Sequence, residues 1–251
     1  MILDEILRKT RQRVASLPSS FPEGPKRDIL SLKDAIRNRT VTNAIIAEIK
    51  CASPSRGIIR RNVDMAMMAG DLGNGGCVAL SILTEPYFFG GSGGDIKQIK
   101  SRISLPVLRK DFIIDERQIA ESRALGADAV LLIAAVLQQH LPDFVDLVRD
   151  FGLEPLVEVR TKEEADTALS TNADLIGINN RDLTTLKIDR STTRRISEGL
   201  RGGNRVVISE SGMRSAEDIR EMKPYCDAFL IGSSIMSDKQ PRMKLEEFVC
   251  A

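Results

Sequence analysis

The chain has 251 residues, 42% of them apolar, enough for a self-supporting core, which excludes a mostly disordered polypeptide. Its 36 Lys and Arg against 35 Asp and Glu leave a formal charge of +1, so no global field recruits nucleic acid or an anionic membrane. A single histidine, His140, sets aside schemes that need several imidazoles, and four scattered cysteines, Cys51, Cys77, Cys226 and Cys250, form no CxxC motif and read as buried reduced thiols.

Residues 1–43 carry Ile2, Leu3, Ile6, Leu7 and Val14 at helical spacing, are interrupted by Pro18, Pro22 and Pro25, and resume the pattern over Ile29 to Ile36. This segment is expected to be a helical extension packed on the remainder of the chain. Asp4, Glu5, Arg8 and Lys9 break up any signal-peptide core, and the longest apolar run, Ala129 to Leu137, is far short of the roughly 20 residues that span a bilayer. A cytoplasmic protein with no membrane partner is the expectation.

From residue 44 onward, eight apolar stretches alternate with amphipathic ones: Ala44 to Lys50, Cys77 to Leu83, Pro106 to Lys110, Ala129 to Ile133, Pro155 to Val159, Asp174 to Ile178, Arg205 to Ser209 and Asp227 to Ile231. Such alternation feeds a parallel sheet. Between the third and fourth, an acidic start at Asp115 and Glu116 and a stop at Gly126 mark a helix. Eight units in this length fit a closed (β/α)8 TIM barrel over 44–251, forming one domain with the 1–43 extension. An open doubly wound sheet is the weaker alternative, since neither GxGxxG after the first strand nor GxxxxGK[ST] occurs.

Side-chain alternation puts Glu48 and Lys50 on the face of Ala44 and Ile46, Lys110 with Leu108, Glu158 with Leu156, Asn179 with Gly177, and Glu210 with Val206 and Ile208. All six polar groups fall near C-terminal strand ends, the catalytic face of a barrel. Arg109 and Lys100 lack that phase and read as solvated surface. Ser209-Glu210-Ser211-Gly212 and Ile231-Gly232-Ser233-Ser234 close the last two strands, where barrels often bind phosphate. Ser53-Pro54-Ser55-Arg56-Gly57 reads equally as a substrate-closing loop or a solvent turn, and the glycine-rich segment 90–94 is expected to be mobile.

Taken in order, Ile46-Ala47-Glu48-Ile49-Lys50 with Ser53-Pro54-Ser55, Pro106 to Phe112, Leu156-Val157-Glu158-Val159, Ile176 to Leu183, and Ser209-Glu210-Ser211-Gly212 resemble the indole-3-glycerol-phosphate synthase family of tryptophan biosynthesis. The resemblance implies a TIM barrel that converts 1-(2-carboxyphenylamino)-1-deoxyribulose 5-phosphate to indole-3-glycerol phosphate, carbon dioxide and water, without metal or organic cofactor. It implies Lys110 as general acid in ring closure and Glu158 as general base in dehydration. Lys50 would steady substrate charge, on the phosphate or the carboxylate, with its dominant role open. Glu48, Asn179, Glu210 and Ser211 would orient these groups and bind sugar hydroxyls. Phosphate would lie on Gly212, Gly232 and Ser233, reached by Ser53 and Lys50. Arg181 would hold the loop or the substrate carboxylate, and Phe89, Phe112 and Leu131 would line the aromatic pocket. The partner is then a small phosphorylated substrate, with no nucleic acid, and the protein a monomer. Two alternatives differ in their needs. A phosphoribosylanthranilate isomerase would want a Cys and Asp couple at strand ends, where two lysines stand instead, and a non-catalytic sugar-phosphate binder would have no use for Lys110 and Glu158.

Overall fold

The computed structural model describes residues 2–22, 28–200 and 202–251, so Pro25 lies outside the described residues. Eight parallel strands close into a barrel: β1 (Ala44–Ile49), β2 (Ala79–Leu83), β3 (Val107–Lys110), β4 (Ala129–Ile133), β5 (Glu154–Val159), β6 (Leu175–Asn179), β7 (Val206–Glu210) and β8 (Ala228–Ile231). Each stretch read as a strand from the sequence is one, with ends displaced by at most two residues. Pairing of β1 with both β2 and β8 leaves no open edge, which removes the doubly wound alternative. Among the described residues no helix is long and apolar enough to cross a membrane.

Two apolar layers follow from strand alternation. The inner layer fills the barrel with Ala44, Ile46, Leu108, Leu131, Leu156, Leu175, Val206, Ile208 and Leu230. In the outer layer, Ile45, Ala47, Ile49, Val130, Leu132, Val157 and Ile176 meet the apolar stripes of the surrounding helices. Those helices begin and end where side-chain chemistry allows. In α5 (Glu116–Leu125) the Asp115 side chain accepts from Arg117 N–H, and Gly126 leaves at φ 90°. Ahead of the barrel, α1 (Ile2–Ala15) buries Ile6, Thr10 and Val14. The short α2 (Leu32–Arg37) buries Leu32 and Ile36 in the inner layer, and Glu154 of β5 accepts from its Leu32 and Lys33 N–H groups.

Four readings from the sequence need correction. Arg109 is 1% exposed, because its outward phase in β3 points it under α5 rather than into water. There its Nη2 donates to Asp111 at 2.9 Å and Glu121 at 2.6 Å. Lys100 is likewise no surface lysine, since its Nζ donates to Asp128 and to Leu105 O, both at 2.9 Å. The glycine-rich segment is built into structure: Ser92 forms a capping box with Asp95, and Gly93 and Gly94 open α4 (Gly93–Lys100). Of the thiols, Cys77 and Cys226 are buried as expected, whereas Cys51 is half-buried and Cys250 exposed; none is in a disulfide.

Replacing Arg109 by Met leaves the Asp111 and Glu121 carboxylates without their shared guanidinium. The variant is expected to lose about 3–5 kcal/mol of unfolding free energy in urea titration. An unchanged midpoint and slope would contradict the buried network.

Candidate active site

Strands β1, β3, β5, β6 and β7 deliver their last inward side chains to one cavity of about 430 Å³ at the C-terminal end of the barrel. Glu48, Lys50, Lys110, Glu158, Asn179, Glu210, Ser211, Arg181, Phe89, Phe112, Leu131, Gly212, Gly232 and Ser233 all line it. Ser53 does not. It is buried in the loop after β1, its hydroxyl 3.5 Å from that of Ser55, and lines a smaller adjoining cavity together with Ile2, Leu3 and Ile6 of α1. That loop is a short antiparallel ribbon, Ala52–Ser53 with Gly57–Ile58.

Lys110 is the centre of the polar set. Its Nζ donates to Glu210 Oε2 at 2.8 Å and to Glu158 Oε2 at 3.1 Å, and Asn179 Nδ2 donates to the other Glu158 oxygen at 3.0 Å. Barrel register makes this possible: Glu158 lies beside Gly177, and Asn179 beside Glu210. A Cβ on Gly177 would stand 2.0 Å from Glu210 Oε1, so glycine there is what lets the Glu210 carboxyl cross β6 toward Lys110. Gly232 has the same use on the far side, where a Cβ would come within 2.3 Å of Glu48 Oε1. Glu48 in turn takes Lys50 at 2.5 Å.

Burial sets the protonation of these groups. It depresses Lys110, but Glu210, then Glu158 and Glu48, overcome it and hold the ammonium well above its ordinary value. Burial raises Glu158, yet Lys110 and the Asn179 hydrogen bond bring it below the usual carboxylate range. Glu210 goes the other way: burial and the nearby Glu158 charge outweigh Lys110 and push it up to about 8. Two carboxyls around one ammonium are thereby set apart, one ionised and one protonated near neutrality. Glu210 Oε1 is buried against Gly177 and has no hydrogen-bond partner among the described residues.

The apolar wall pairs Phe89 with Phe112, ring centroids 6.3 Å apart and tilted by 37°. Glu85 fixes the first of these by accepting from the N–H groups of Tyr87, Phe88 and Phe89. On the opposite rim, Ser211 and Gly212 follow β7 with φ of 66° and 97°. A serine in that left-handed region is strained, and Asn180 Nδ2 holds it by donating to Ser211 O at 3.1 Å. Gly232 then opens α11 (Ser233–Met236), whose start has no side-chain cap.

Sequence reading passed over part of the rim. Arg56 and Arg214 also line the cavity, as do Ser55, Leu183, Ile188 and Ser234. Arg56, Arg181 and Arg214 are in no ion pair among the described residues, whereas Arg190 nearby is paired with Asp218. Burial, with the neighbouring charges of Arg56 and Arg214, lowers Arg181 against the pull of Glu48. Arg56 was visible as a cation in the Ser53 to Gly57 loop, but nothing in a lone sequence aims such a residue inward. With Lys50 and Lys110, five cations face four carboxyls, Glu48, Asp111, Glu158 and Glu210, of which Asp111 is already paired with Arg109 behind the wall, so the cavity suits an anion with an aromatic part.

Comparisons with known proteins identify the family. The family model described as indole-3-glycerol phosphate synthase matches residues 3–248. An indole-3-glycerol phosphate synthase from Caldanaerobacter subterraneus subsp. tengcongensis is 43% identical over 255 residues, covering 99% of this chain and 98% of the relative. One from Methanocaldococcus jannaschii is 43% identical over 227 residues, covering 89% and 85%. Among solved structures, KGPDC from Streptococcus mutans aligns with a TM-score of 0.62 over 82% of this chain and 95% of that one; at 14% identity it speaks to the fold alone.

Glu210 supplies a pH test of this electrostatic picture. Its folded pKa lies above the ordinary 4.5, so its protonated form favours the fold below that value and the advantage is lost as pH rises through about 8. The melting temperature of the wild type is expected to fall relative to Glu210→Gln between those limits. Parallel curves for the two proteins would refute the raised pKa.

Proposed function

The chain belongs to the indole-3-glycerol phosphate synthase family, carboxy-lyases of tryptophan biosynthesis acting on a phosphorylated small molecule, and from that premise we propose which residues carry its reaction. The observation that carries the proposal is Lys110 held between Glu158 and Glu210 at the floor of an aromatic-walled, cation-rimmed cavity. The substrate is 1-(2-carboxyphenylamino)-1-deoxyribulose 5-phosphate. Its ring lies against Phe89, Phe112 and Leu131, and its phosphate lies on the Ser211–Gly212 turn and the uncapped start of α11 at Gly232 and Ser233.

Ring closure joins the carboxyl-bearing aromatic carbon to the ketone carbon of the sugar. The carbonyl π pair moves to oxygen, which takes a proton from Lys110. A buried ammonium with two carboxyl neighbours is charged at neutral pH and aimed, which suits a general acid. Loss of carbon dioxide returns the C–C bonding pair to the ring. Dehydration then removes a proton from the sugar carbon next to nitrogen, while the Lys50 ammonium gives a proton to the new hydroxyl, which leaves as water as the ring double bond forms. Glu158 is the base, since Lys110 and Asn179 keep it ionised, and Lys50 steadies the substrate's negative charge. Glu48 orients Lys50, while Glu210, protonated near neutrality, positions Lys110 through its Oε2. Arg181 holds the substrate carboxylate. Its backbone N–H donates to Asn179 Oδ1 at 2.9 Å, which ties the rim to the catalytic floor.

Ser53 closes the ribbon over the phosphate end rather than lying in the main cavity. The whole chain acts as one domain, with residues 1–43 as an extension on the barrel. A cytoplasmic monomer completes the reading. It is supported by four cysteines outside any disulfide and by exposed large apolar residues, Ile58, Met67, Tyr87, Phe151 and Met243, that are spread over separate elements.

Two variants separate the steps. Lys110→Ala is expected to lower turnover by about 100-fold or more while inorganic phosphate still competes with near wild-type affinity. Glu158→Gln is expected to slow the second phase of single-turnover traces and leave ring closure largely intact. A Lys110→Ala enzyme of ordinary turnover, or a Glu158→Gln trace slowed only in its first phase, would reverse the assignments.

A further inference from the structure

Below the rim of the cavity, between β3 and its covering helices, four charged side chains from three parts of the chain meet. They are Arg13 of α1, Arg109 of β3, Asp111 just after β3, and Glu121 of α5. We infer that Arg13 is a positioning residue for Lys110, acting through Asp111 from outside the barrel. The inference rests on the synthase reading above.

Asp111 is the middle residue of the turn that carries Lys110 on one side and Phe112 on the other. Its Oδ1 accepts from the Phe112 N–H at 2.8 Å. Its Oδ2 accepts from Thr84 Oγ1 at 2.8 Å, Arg109 Nη2 at 2.9 Å and Arg13 Nη2 at 3.3 Å. The turn is therefore fixed by the side chain at its centre. Arg13 also grips Glu121, its Nη1 lying 3.2 and 3.1 Å from the two carboxylate oxygens.

Arg109 cannot take over from Arg13. Its Nε donates to Thr84, its Nη1 to Gln118 O and Ser122 Oγ, and its Nη2 to Asp111 and Glu121, which uses all five of its N–H donors. Charge makes the same point. Two guanidiniums balance two carboxylates, and without Arg13 a buried excess of negative charge remains beside an Asp111 side chain that is 1% exposed. That excess is relieved by moving Asp111, and movement of Asp111 carries Lys110 and Phe112 with it. Docking of α1 through Ile6 and Val14 is a separate, apolar matter, so Arg13 can be changed with that packing in place.

The test compares Arg13→Ala, Arg13→Lys and, as a control on the same helix, the exposed Arg8→Ala. Misplacing an acid by about 1 Å costs up to roughly 100-fold in rate. Arg13→Ala is therefore expected to lose at least tenfold in kcat with KM within about threefold. Arg13→Lys, which keeps the charge without the two-pronged grip, is expected to recover part of that loss, and Arg8→Ala to match the wild type. A merely structural role would instead loosen α1 where Ile2, Leu3 and Ile6 line the smaller cavity adjoining the site, and raise KM at near-constant kcat. That result, or an Arg13→Ala kcat above half of wild type, overturns the inference. A crystal structure of Arg13→Ala decides the geometry without turnover: Lys110 Nζ is expected to leave its 3.1 Å contact with Glu158, and an unmoved Lys110 overturns the proposal. Should the wild type make no indole product, the synthase reading fails by itself, and crystal structures of the wild type and of Arg13→Ala still judge whether Arg13 sets Lys110.

Discussion

An ammonium held between two carboxyls in a water-poor barrel mouth is the constraint around which this structure is arranged. Removing Lys110, Glu158 and Glu210 from water is costly, and their mutual attraction offsets that cost only at close range and good geometry. Close range here means that three alternate strands, β3, β5 and β7, must end at one height with one phase. The barrel register provides that, and Gly177 on the intervening β6 provides the space. The same geometry divides the labour of the carboxyls. Glu158 has Lys110 and Asn179 to keep it ionised, whereas Glu210 has a bare oxygen and a like-charged neighbour, so the proton settles on Glu210.

Strand alternation extends this logic outward. Residues of one phase make the site, and those of the other phase make the layer that holds it. Lys110 and Arg109 are adjacent in sequence and lie on opposite faces of β3, one feeding the cavity and the other the ionic cluster under α5. Asp111 joins the two, since it belongs to the cluster through its side chain and to the active-site turn through its backbone. Polar groups behind β6 do comparable work. Asn180 accepts from Thr193 and donates to Ser209 and to the strained Ser211 carbonyl, supporting the phosphate end from behind.

Much of this was legible in the sequence because period-2 patterns determine both strand and face. Eight apolar stretches at this spacing specify the barrel, and the parity of Glu48, Lys110, Glu158 and Glu210 alone puts them on one face. Arg109 shows where parity misleads: an outward residue on a barrel strand faces helices, not water, and only the presence of Asp111, Glu121 and Thr84 makes an arginine acceptable there. Lys100, at the end of a helix, is half-buried by a different cause, a pairing with Asp128 that is distant in sequence. The glycine segment 90–94 looked mobile by composition, yet Ser92 and Asp95 cap a helix there. Arg56 and Arg214 stayed hidden because loop direction is set by contacts that no local pattern encodes, and Ser53 lies one cavity away from its expected place for that reason too.

Closure of an indole ring on a phosphorylated aromatic carboxylate is the reaction proposed for this cavity, and the chain's lack of tryptophan makes it directly observable. Purified protein mixed with 1-(2-carboxyphenylamino)-1-deoxyribulose 5-phosphate in the presence of a chelator should produce indole fluorescence that grows with time over a faint tyrosine background. A growing, chelator-insensitive signal is the predicted result. Saturable binding of the same compound with no fluorescence growth would contradict the account and leave a sugar-phosphate binder in its place.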